Sequence, residues 1–384
     1  MPHYKFDQIA FNITDKKMPE PGDEKMYIGL EHLDSGSLKI TRWGSEVELT
    51  GQKLVMRKGD VLFGRRNTYL RRAAIAPHDG IFSAHGMIFR PKTQVIDPEY
   101  FPFFISSNYF MDAAIRISVG SLSPTVNWKT LKELEFDLPS LEEQRKNAAL
   151  LKSINETKEA YQELLIQTDN LVKSQFIEMF DGKFPLVKTE DVCHFITKGT
   201  TPKGDGIIKK HSAGLVPYLK VYNLSFDGSL LFDDEPQYVS QETHNGFLAR
   251  SKVYPGDVLM NIVGPPLGKF ALVTSEYPEW NINQAIAIFR AKEMILPEYL
   301  LHALMQPKLI GPFIEKAQGV RQMNFSLEQC RKLEIPLPGL DIQSKFVEFV
   351  HQSDKSKFEL KEAIKSCDAL MKAILFTNLE EKEG

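Results

Sequence analysis

The residues best suited to chemistry in this sequence lie in one cationic segment, residues 63–72. Its charged, amide and phenol side chains are Arg65, Arg66, Asn67, Tyr69, Arg71 and Arg72. No acidic residue lies between Asp60 and Asp79. Guanidinium groups bind phosphates or guanine edges, amides can pair with adenine, and a phenol can stack or contact a sugar. The segment therefore predicts a nucleic-acid contact loop, and a solvated charge cluster is the alternative.

Polar side chains elsewhere extend this candidate surface to both halves of the chain. In the second half, the loop at 260–271 carries Asn261 and Lys269 around a Gly-Pro-Pro turn. The other candidate DNA contacts are His85, Ser121, Ser123, Lys198, Thr200, Thr201, Lys203, Asn283, Gln284, Arg321, Gln322 and Asn324. Asparagine and glutamine read adenine but also occur in ordinary loops, so a structural role stays open for them. For His85, the alternative is a strand-end or core hydrogen bond.

Patterns typical of catalysis are not found in the sequence. The segment 264–269 has three residues between its glycines and no hydroxyl residue after its lysine, so it falls short of a phosphate-binding P-loop. No dinucleotide fingerprint, Asn-Pro-Pro-aromatic run or histidine pair at metal-ligand spacing occurs. Cys193, Cys330 and Cys367 lie far apart, and we expect buried thiols. We predict no catalytic residue, metal or cofactor in this chain.

Composition indicates a globular protein with locally concentrated charge. Of the 384 residues, 42% are hydrophobic and 25% are charged, and the formal net charge is −3. This balance excludes a globally basic, histone-like binder, so contacts with nucleic acid must be concentrated in particular loops. No apolar stretch approaches the length of a membrane span, and the first residues lack the features of a signal peptide. We expect a cytoplasmic protein with no membrane partner.

An internal repeat indicates which elements position these loops. The segment DLPSLEEQRK at 137–146 matches PLPGLDIQSK at 336–345, and KGDVLFG at 58–64 matches PGDVLMN at 255–261. Further matched segments follow in the same order in both halves, which indicates a duplicated unit. Each half combines short β runs with one helical stretch between turns of glycine and proline. The sequence therefore predicts an α+β fold with two pseudo-symmetric globular domains.

A long amphipathic helix is predicted after each Leu-Pro motif. In the first helix, apolar or small residues at steps of three and four are Leu150, Ile154, Thr157, Tyr161, Leu164, Thr168, Leu171 and Gln175. The corresponding positions of the second are Phe346, Val350, Ser353, Lys357, Leu360, Ile364, Cys367, Met371 and Ile374. This rhythm is typical of a coiled-coil seam.

The two predicted helices most simply cover each other. If the duplicated units are related by a twofold axis, the helices run antiparallel. A dimerisation stalk between separate molecules is the alternative. The predicted segments are a first globular domain at 1–139, a helix at 140–182, a second globular domain at 183–338 and a helix at 339–380.

The matched segments resemble the specificity (S) subunit of type I restriction-modification systems. The resemblance rests on LPSLEEQ and LPGLDIQ, on GDVLFGRRNTYLRRAAI, on GTTP and on NQAIAIFR, and it covers nearly the whole chain. The second copy departs from the pattern at Asp341 and Ile342, where two glutamates are expected. The resemblance implies two target-recognition domains joined by two long helices that form an antiparallel coiled coil.

The resemblance also implies a function and a set of partners. Each recognition domain would read one half of an asymmetric bipartite site in double-stranded DNA. The coiled coil would set the unread spacer and dock two modification subunits. Those subunits would use S-adenosylmethionine to methylate adenine, and restriction (translocase) subunits would use ATP with Mg²⁺, while this chain would be non-catalytic and bind none of these cofactors.

Two alternative functions stay open. One is a specificity subunit of a related bipartite methyltransferase system without a motor subunit. The other is a two-lobed enzyme with its active site between the lobes. Titration of the isolated chain with S-adenosylmethionine or a nucleotide discriminates the second alternative, because only an enzyme of that kind would bind them.

Overall fold

The computed structural model describes residues 2–202, 204, 206–264, 266–317 and 323–379. The chain forms two compact units, one from residues 1–162 with 361–384 and the other from residues 163–360. Each unit therefore combines a globular part with segments of two long helices. This division into compact units does not test the boundaries predicted between the globular domains and the helices at residues 139, 182 and 338.

Among its described residues, the first unit contains ten strands, and five helices begin in it. The strands are β1 (His3–Lys5), β2 (Ala10–Ile13), β3 (Lys16–Lys17), β4 (Tyr27–Ile28), β5 (Lys53–Met56), β6 (Val61–Phe63), β7 (Ala73–Ile75), β8 (Gly80–Phe82), β9 (Met87–Pro91) and β10 (Glu135–Asp137). The helices that begin in this unit are α1 (Phe6–Ile9), α2 (Phe101–Ser106), α3 (Asn108–Arg116), α4 (Trp128–Leu131) and α5 (Leu141–Phe180). Two four-stranded sheets have the orders β2-β9-β6-β7 and β3-β5-β8-β4, and β1 pairs with β10.

The second unit repeats this arrangement with a few additions. Its described strands are β11 (Leu186–Lys188), β12 (Cys193–Lys198), β13 (Val216–Leu219), β14 (Tyr238–Val239), β15 (Lys252–Val253), β16 (Val258–Asn261), β17 (Val263–Gly264), β18 (Phe270–Leu272), β19 (Trp280–Ile282), β20 (Ile286–Ala291), β21 (Met323–Asn324) and β22 (Glu334–Pro336). The helices that begin here are α6 (Thr189–Val192), α7 (Gln241–Asn245), α8 (Pro297–Leu304), α9 (Pro307–Ala317), α10 (Leu327–Arg331) and α11 (Leu340–Leu379). Its four-stranded sheets have the orders β12-β20-β16-β18 and β14-β13-β19-β15.

The two units share one topology and differ at one sheet edge. The order β2-β9-β6-β7 corresponds strand for strand to β12-β20-β16-β18. In the other sheet, β4-β8-β5 corresponds to β13-β19-β15, including a parallel first pair and an antiparallel second pair. The fourth strand is added beside β5 in the first unit and beside β13 in the second. The predicted α+β class and the duplication are confirmed.

The repeated Gly-Asp-Val and Ile-Phe-Arg segments meet in one buried ion pair per unit. Arg90 donates from Nε and Nη2 to Asp60 at 2.5 and 2.9 Å, and Arg290 donates likewise to Asp257 at 2.8 and 2.7 Å. Each carboxylate also accepts a backbone N–H of its own turn at 2.8 Å. Bidentate guanidinium–carboxylate bonds are strong and directional. They hold β6 to β9 and β16 to β20, the strands from which the candidate loops leave.

The repeated glutamine of the Leu-Pro motif ties each long helix to its globular part. The buried Gln144 donates from Nε2 to the Val95 and Pro139 carbonyls at 3.1 and 2.9 Å, and its Oε1 accepts the Asp97 N–H at 2.7 Å. Gln343 makes the three equivalent bonds at 3.1, 2.9 and 2.8 Å. Buried polar groups are costly when unpaired. The repeated motif therefore makes the same helix junction in both units.

In the first unit, the N-terminal part of α5 packs antiparallel to the C-terminal part of α11. Lys158 donates to Asp368 at 2.7 Å, and Leu151 lies in the same apolar cluster as Leu375. Residue numbers thus fall along α5 while they rise along α11. Lys158 is buried, whereas its partner Asp368 is partly exposed.

In the second unit, the C-terminal part of α5 packs antiparallel to the N-terminal part of α11. Lys357 donates to Asp169 at 3.1 Å, and the rings of Phe176 and Phe346 lie 5.4 Å apart. Burial lowers the pKa of Lys357, but hydrogen bonds and charge from Asp354 and Asp169 outweigh this effect and raise it. The prediction of an antiparallel helix pair is confirmed in each unit by itself.

The predicted seam of α11 is confirmed, whereas that of α5 is wrong at half of its positions. On α11 the predicted seam residues that are buried are Phe346, Val350, Ser353 and Cys367. On α5 the predicted seam residues that are exposed are Leu150, Thr157, Leu164 and Leu171. The positions buried instead are Ala148, Leu151, Lys158, Val172 and Phe176. The buried face of α5 includes the charged Lys158, which interrupts the apolar pattern. The apolar pattern alone therefore predicted the wrong face of α5.

Candidate nucleic-acid interface

The arginine loop, residues 64–72, connects β6 to β7 in a constrained conformation. The Gly64 N–H donates to the Arg72 carbonyl at 2.9 Å, which closes the base of the loop. Asn67 and Arg71 have φ of 55° and 49°, and they are the only non-glycine residues with positive φ in the described part of the chain. Such conformations cost energy and often occur at functional sites. The tight turn Thr68–Leu70 lies between them.

A hairpin from residues 119–125 braces the arginine loop. Arg66 pairs with Thr125 in an antiparallel bridge, and the Asn67 N–H donates to the Pro124 carbonyl at 2.7 Å. The Arg66 Nη2 also donates to the Ser123 hydroxyl at 3.3 Å. The structure thus brings together three predicted contact residues, Arg66, Asn67 and Ser123. Ser121 is exposed on the same hairpin.

The arginines of the loop have different partners. Arg71 forms an ion pair with Asp112 and donates to the Asn108 side chain at 3.2 Å. Arg72 donates to a backbone carbonyl at 3.1 Å. Arg66 is exposed and makes only the long bond to the hairpin hydroxyl among its side-chain bonds. Arg66 is therefore the arginine best placed to meet a ligand.

Arg65, Asn67 and Tyr69 are the other predicted contact residues of this loop. The Arg65 Nε and the Asn67 Oδ1 are buried and have no hydrogen-bond partner among the described residues. The Tyr69 ring is exposed. An unpaired donor and an unpaired acceptor therefore lie in the same loop as an exposed arginine, Arg66, and an exposed tyrosine, Tyr69.

The loop and the hairpin combine two segments that contain no acidic residue. These segments are residues 61–78 and 113–132. Their basic side chains are Arg65, Arg66, Arg71, Arg72, Arg116, Lys129 and Lys132. The chain as a whole has a net charge of −3, so these segments concentrate positive charge, although Arg71 pairs with Asp112 and Lys132 with Glu133. Sequence reasoning missed Arg116, Lys129 and Lys132, although the acid-free run around them was a signal for them.

His85 lies at the same end of the sheet as the arginine loop. It precedes β9, whose Met87 pairs with Phe63 at the end of β6. Its ring is exposed, and its backbone N–H donates to the Ser83 hydroxyl at 3.3 Å. The strand-end hydrogen bond that we expected as the alternative role is therefore made by the backbone, which leaves the imidazole open to solvent.

The second unit has an equivalent loop with different chemistry. Val263 pairs with Asn324, as Arg66 pairs with Thr125 in the first unit, and Asn324 is exposed. The predicted base reader Asn261 is instead fully buried. Its amide donates to the Pro266 carbonyl at 2.6 Å and accepts the Lys269 N–H at 2.7 Å. This is a correction of its role, because an amide engaged by its own loop holds that loop in shape.

Lys269 and the segment after β12 supply the other polar groups of this unit. The Lys269 ammonium lies 5.6 Å from the centre of the exposed Phe226 ring, within range for a cation–π contact. The Thr200 N–H donates to the Ile282 carbonyl at 3.1 Å, so Lys198 and Thr201 lie near Asn283 and Gln284.

The polar residues of this segment and of the turn after β19 differ in solvent exposure. Lys198, Thr201 and Gln284 are exposed. Thr200 is almost fully buried, and its hydroxyl accepts from Arg250 at 3.0 Å, which gives it a structural role. The Asn283 Oδ1 accepts the Ala285 N–H at 3.2 Å. The predicted contacts Lys203, Arg321 and Gln322 lie outside the described residues.

The described residues contain no group of three or more histidine, cysteine or acidic side chains that could hold a metal ion. Within the same ranges, no helix is long and apolar enough to cross a membrane. The predicted buried thiols are confirmed for all three cysteines. Burial raises the pKa of Cys193 and of Cys330 to about 12, so these thiols are unreactive near neutral pH.

The structure is thus a duplicated α+β unit, with paired segments of the two long helices in each unit and a basic loop in the first. The family model of the type I restriction modification DNA specificity domain matches residues 11–167 and again residues 183–366. The chain belongs to this family.

Individual relatives agree with this assignment. The type I restriction enzyme EcoDI specificity subunit of Escherichia coli is 24% identical over 185 residues, which are 47% of this chain and 41% of that protein. The match thus spans less than half of that relative. A chain from a structure on complex assembly and conformational transition of the type I R-M system is 18% identical, with a TM-score of 0.56 over 98% of this chain and 97% of that one. The type I restriction-modification S subunit from M. genitalium is 14% identical, with a TM-score of 0.52 over 99% and 96%. At such low identities, these two structures show a shared fold.

Proposed function

We propose that this chain is the DNA-recognition subunit of a type I restriction-modification complex and has no catalytic activity of its own. The family match over both repeats carries the proposal. The acid-free segments 61–78 and 113–132 support it, because a duplex is bound mainly through its phosphates. Each unit reads one half of an asymmetric bipartite site in double-stranded DNA.

The difference between the two candidate loops supports the reading of two different half-sites. The loop after β6 presents an exposed arginine and tyrosine, Arg66 and Tyr69. The loop after β16 presents Lys269 on the frame that Asn261 holds. Because the two units share one topology, each would bind the DNA backbone in a similar way. The different side chains on their loops would then contact different bases.

The long helices set the length of the unread spacer and dock two modification subunits in this proposal. The displaced seam of α5 supports docking, because Leu150, Leu164 and Leu171 are about half exposed and lie fourteen and seven residues apart, at heptad positions of one helix. An apolar stripe with that spacing fits a helical partner. The modification subunits bind S-adenosylmethionine and methylate adenine. Restriction (translocase) subunits, where present, use ATP with Mg²⁺, and the complex acts in the cytoplasm.

Methylome sequencing tests the proposed function. The chain is expressed with its modification subunits in a host without other adenine methylation, and the same host without the chain is the control. We expect methylated adenine in a two-part motif with a fixed gap only when the chain is present. The same motif in the control, or methyl transfer by the purified chain alone, would contradict the proposal. The purified chain should also show no binding of S-adenosylmethionine or ATP.

A further inference from the structure

The hairpin that braces the arginine loop presents an apolar side chain at its tip. Leu122 is 95% exposed, the highest value among the large apolar residues in the described part of the chain. Its neighbours Ser121 and Ser123 are small and polar, and no acidic residue occurs from 113 to 132. Single exposed apolar residues are common on protein surfaces, but this one lies on a braced hairpin beside an exposed arginine.

The base of the hairpin is held by several backbone bonds. Val119 and Thr125 exchange N–H···O bonds at 3.1 and 2.9 Å, and the Thr125 hydroxyl donates to the Ser123 carbonyl at 2.9 Å. Gly120 has φ of 113°, which favours glycine, and a Cβ at this position would meet the Ser123 carbonyl oxygen at 3.3 Å. The tip is therefore a defined projection and does not depend on Leu122 for its shape.

The surroundings of the tip are cationic. Arg66 bonds to Ser123 and pairs with Thr125, so its exposed guanidinium lies at the side of the hairpin. The hairpin itself contains no carboxylate, since residues 113–132 include no aspartate or glutamate. An exposed apolar tip beside free positive charge matches proteins that insert an apolar wedge between bases while cationic groups hold the adjacent phosphates.

We propose that Leu122 enters a groove of the duplex and partly unstacks one base step in the half-site read by the first unit. This inference rests on the proposed function and adds the physical mode of reading. The unstacking cost depends on which two base pairs form the step, and pyrimidine–purine steps deform most easily. Leu122 would therefore select sequence at a step without hydrogen bonds to it.

The test uses the full chain assembled with its modification subunits and duplexes with 2-aminopurine at successive adenines of the first half-site. Loss of stacking raises 2-aminopurine fluorescence. We expect a several-fold rise at one step with the wild-type complex, loss of this rise with Leu122→Ala, and retention with Leu122→Met. The Leu122→Ala complex should bind roughly tenfold more weakly, since apolar burial is lost. Val47→Ala, which truncates an exposed valine in another loop, is the control.

The possible outcomes separate the inference from the function on which it rests. If the wild-type complex binds the site specifically but fluorescence rises at no position, Leu122 is not a wedge. If Leu122→Ala reduces assembly with the modification subunits and leaves fluorescence unchanged, the tip contacts protein, and the inference is overturned. If the wild-type complex shows no sequence preference at all, the proposed function fails, and this inference fails with it.

Discussion

Substitution of Arg66 by alanine should weaken DNA binding through the loss of one phosphate or base contact. The Arg66 guanidinium is exposed and has only one side-chain bond, of 3.3 Å, to Ser123. If it neutralises one phosphate, the slope of log K against log salt falls by about 0.9. Between 50 and 200 mM salt, the wild-type complex then loses about 3.5-fold more affinity than the variant. If it reads a base instead, the loss is about 1–3 kcal/mol and confined to one position of one half-site.

The same loop provides a matched control in Arg71, whose charge is already neutralised by Asp112. The double variant Arg71→Ala with Asp112→Ala removes an arginine from the loop without changing net charge. We expect its salt slope and half-site preference to equal those of the wild type. The assay is fluorescence anisotropy of labelled duplex with the assembled complex at four salt concentrations. Unchanged affinity and slope for Arg66→Ala, or an equal loss for the double variant, would refute the assignment of Arg66 to the DNA surface.

Three further predictions concern the fold and the spacer. Gln144→Ala and Gln343→Ala should each lower the free energy of unfolding by about 2–4 kcal/mol in urea melts, since each leaves buried backbone groups unpaired. The pKa of His3 is raised by hydrogen bonds to the carboxylates of β10, so its support of β1 is complete below pH 6.5 and is lost as pH rises through the raised pKa. Hydrogen exchange in β1, corrected for intrinsic rates, should therefore accelerate above that pH. Removal of residues 159–165 and 361–367 together shortens each helix by about 10 Å and should shorten the unread gap by about three base pairs, as read from the methylome.

The duplicated architecture could be predicted because its chemistry is local or repeated. The Asp60–Arg90 pair has a counterpart in Asp257–Arg290, and both partners belong to segments that match by eye. The antiparallel helix pair followed from the repeat together with the apolar period. Where α11 keeps that period with apolar or small residues, as at Val350, its seam was predicted correctly.

The errors arose where a residue's environment comes from distant parts of the chain or from the folded shape of its own loop. Lys158 lies in the seam of α5 because Asp368 pairs with it, which no local pattern reveals. Arg71 is neutralised by Asp112, which lies on α3, after three further strands and a helix of the chain. Asn261 is buried because its own loop folds back over it. Residue type predicted the kind of chemistry in each loop, but burial and pairing decided which side chains are free to perform it.

Equilibrium binding to DNA with altered half-sites tests whether each unit of the chain reads one half of a bipartite site. The assembled complex is titrated with the intact bipartite duplex, with duplexes altered in one half or the other, and with a duplex whose gap is one base pair longer. We expect each altered base pair in either half to weaken binding by about 5- to 150-fold, since a mismatched base pair costs about 1–3 kcal/mol. The longer gap should also weaken binding, because both units can then no longer engage their half-sites at once. If Arg66 reads a base, Arg66→Ala should change discrimination in one half only, and if it contacts a phosphate, it should weaken binding to all four duplexes alike. Equal binding to all four duplexes, or the same preferences from modification subunits that lack this chain, would contradict the proposed function.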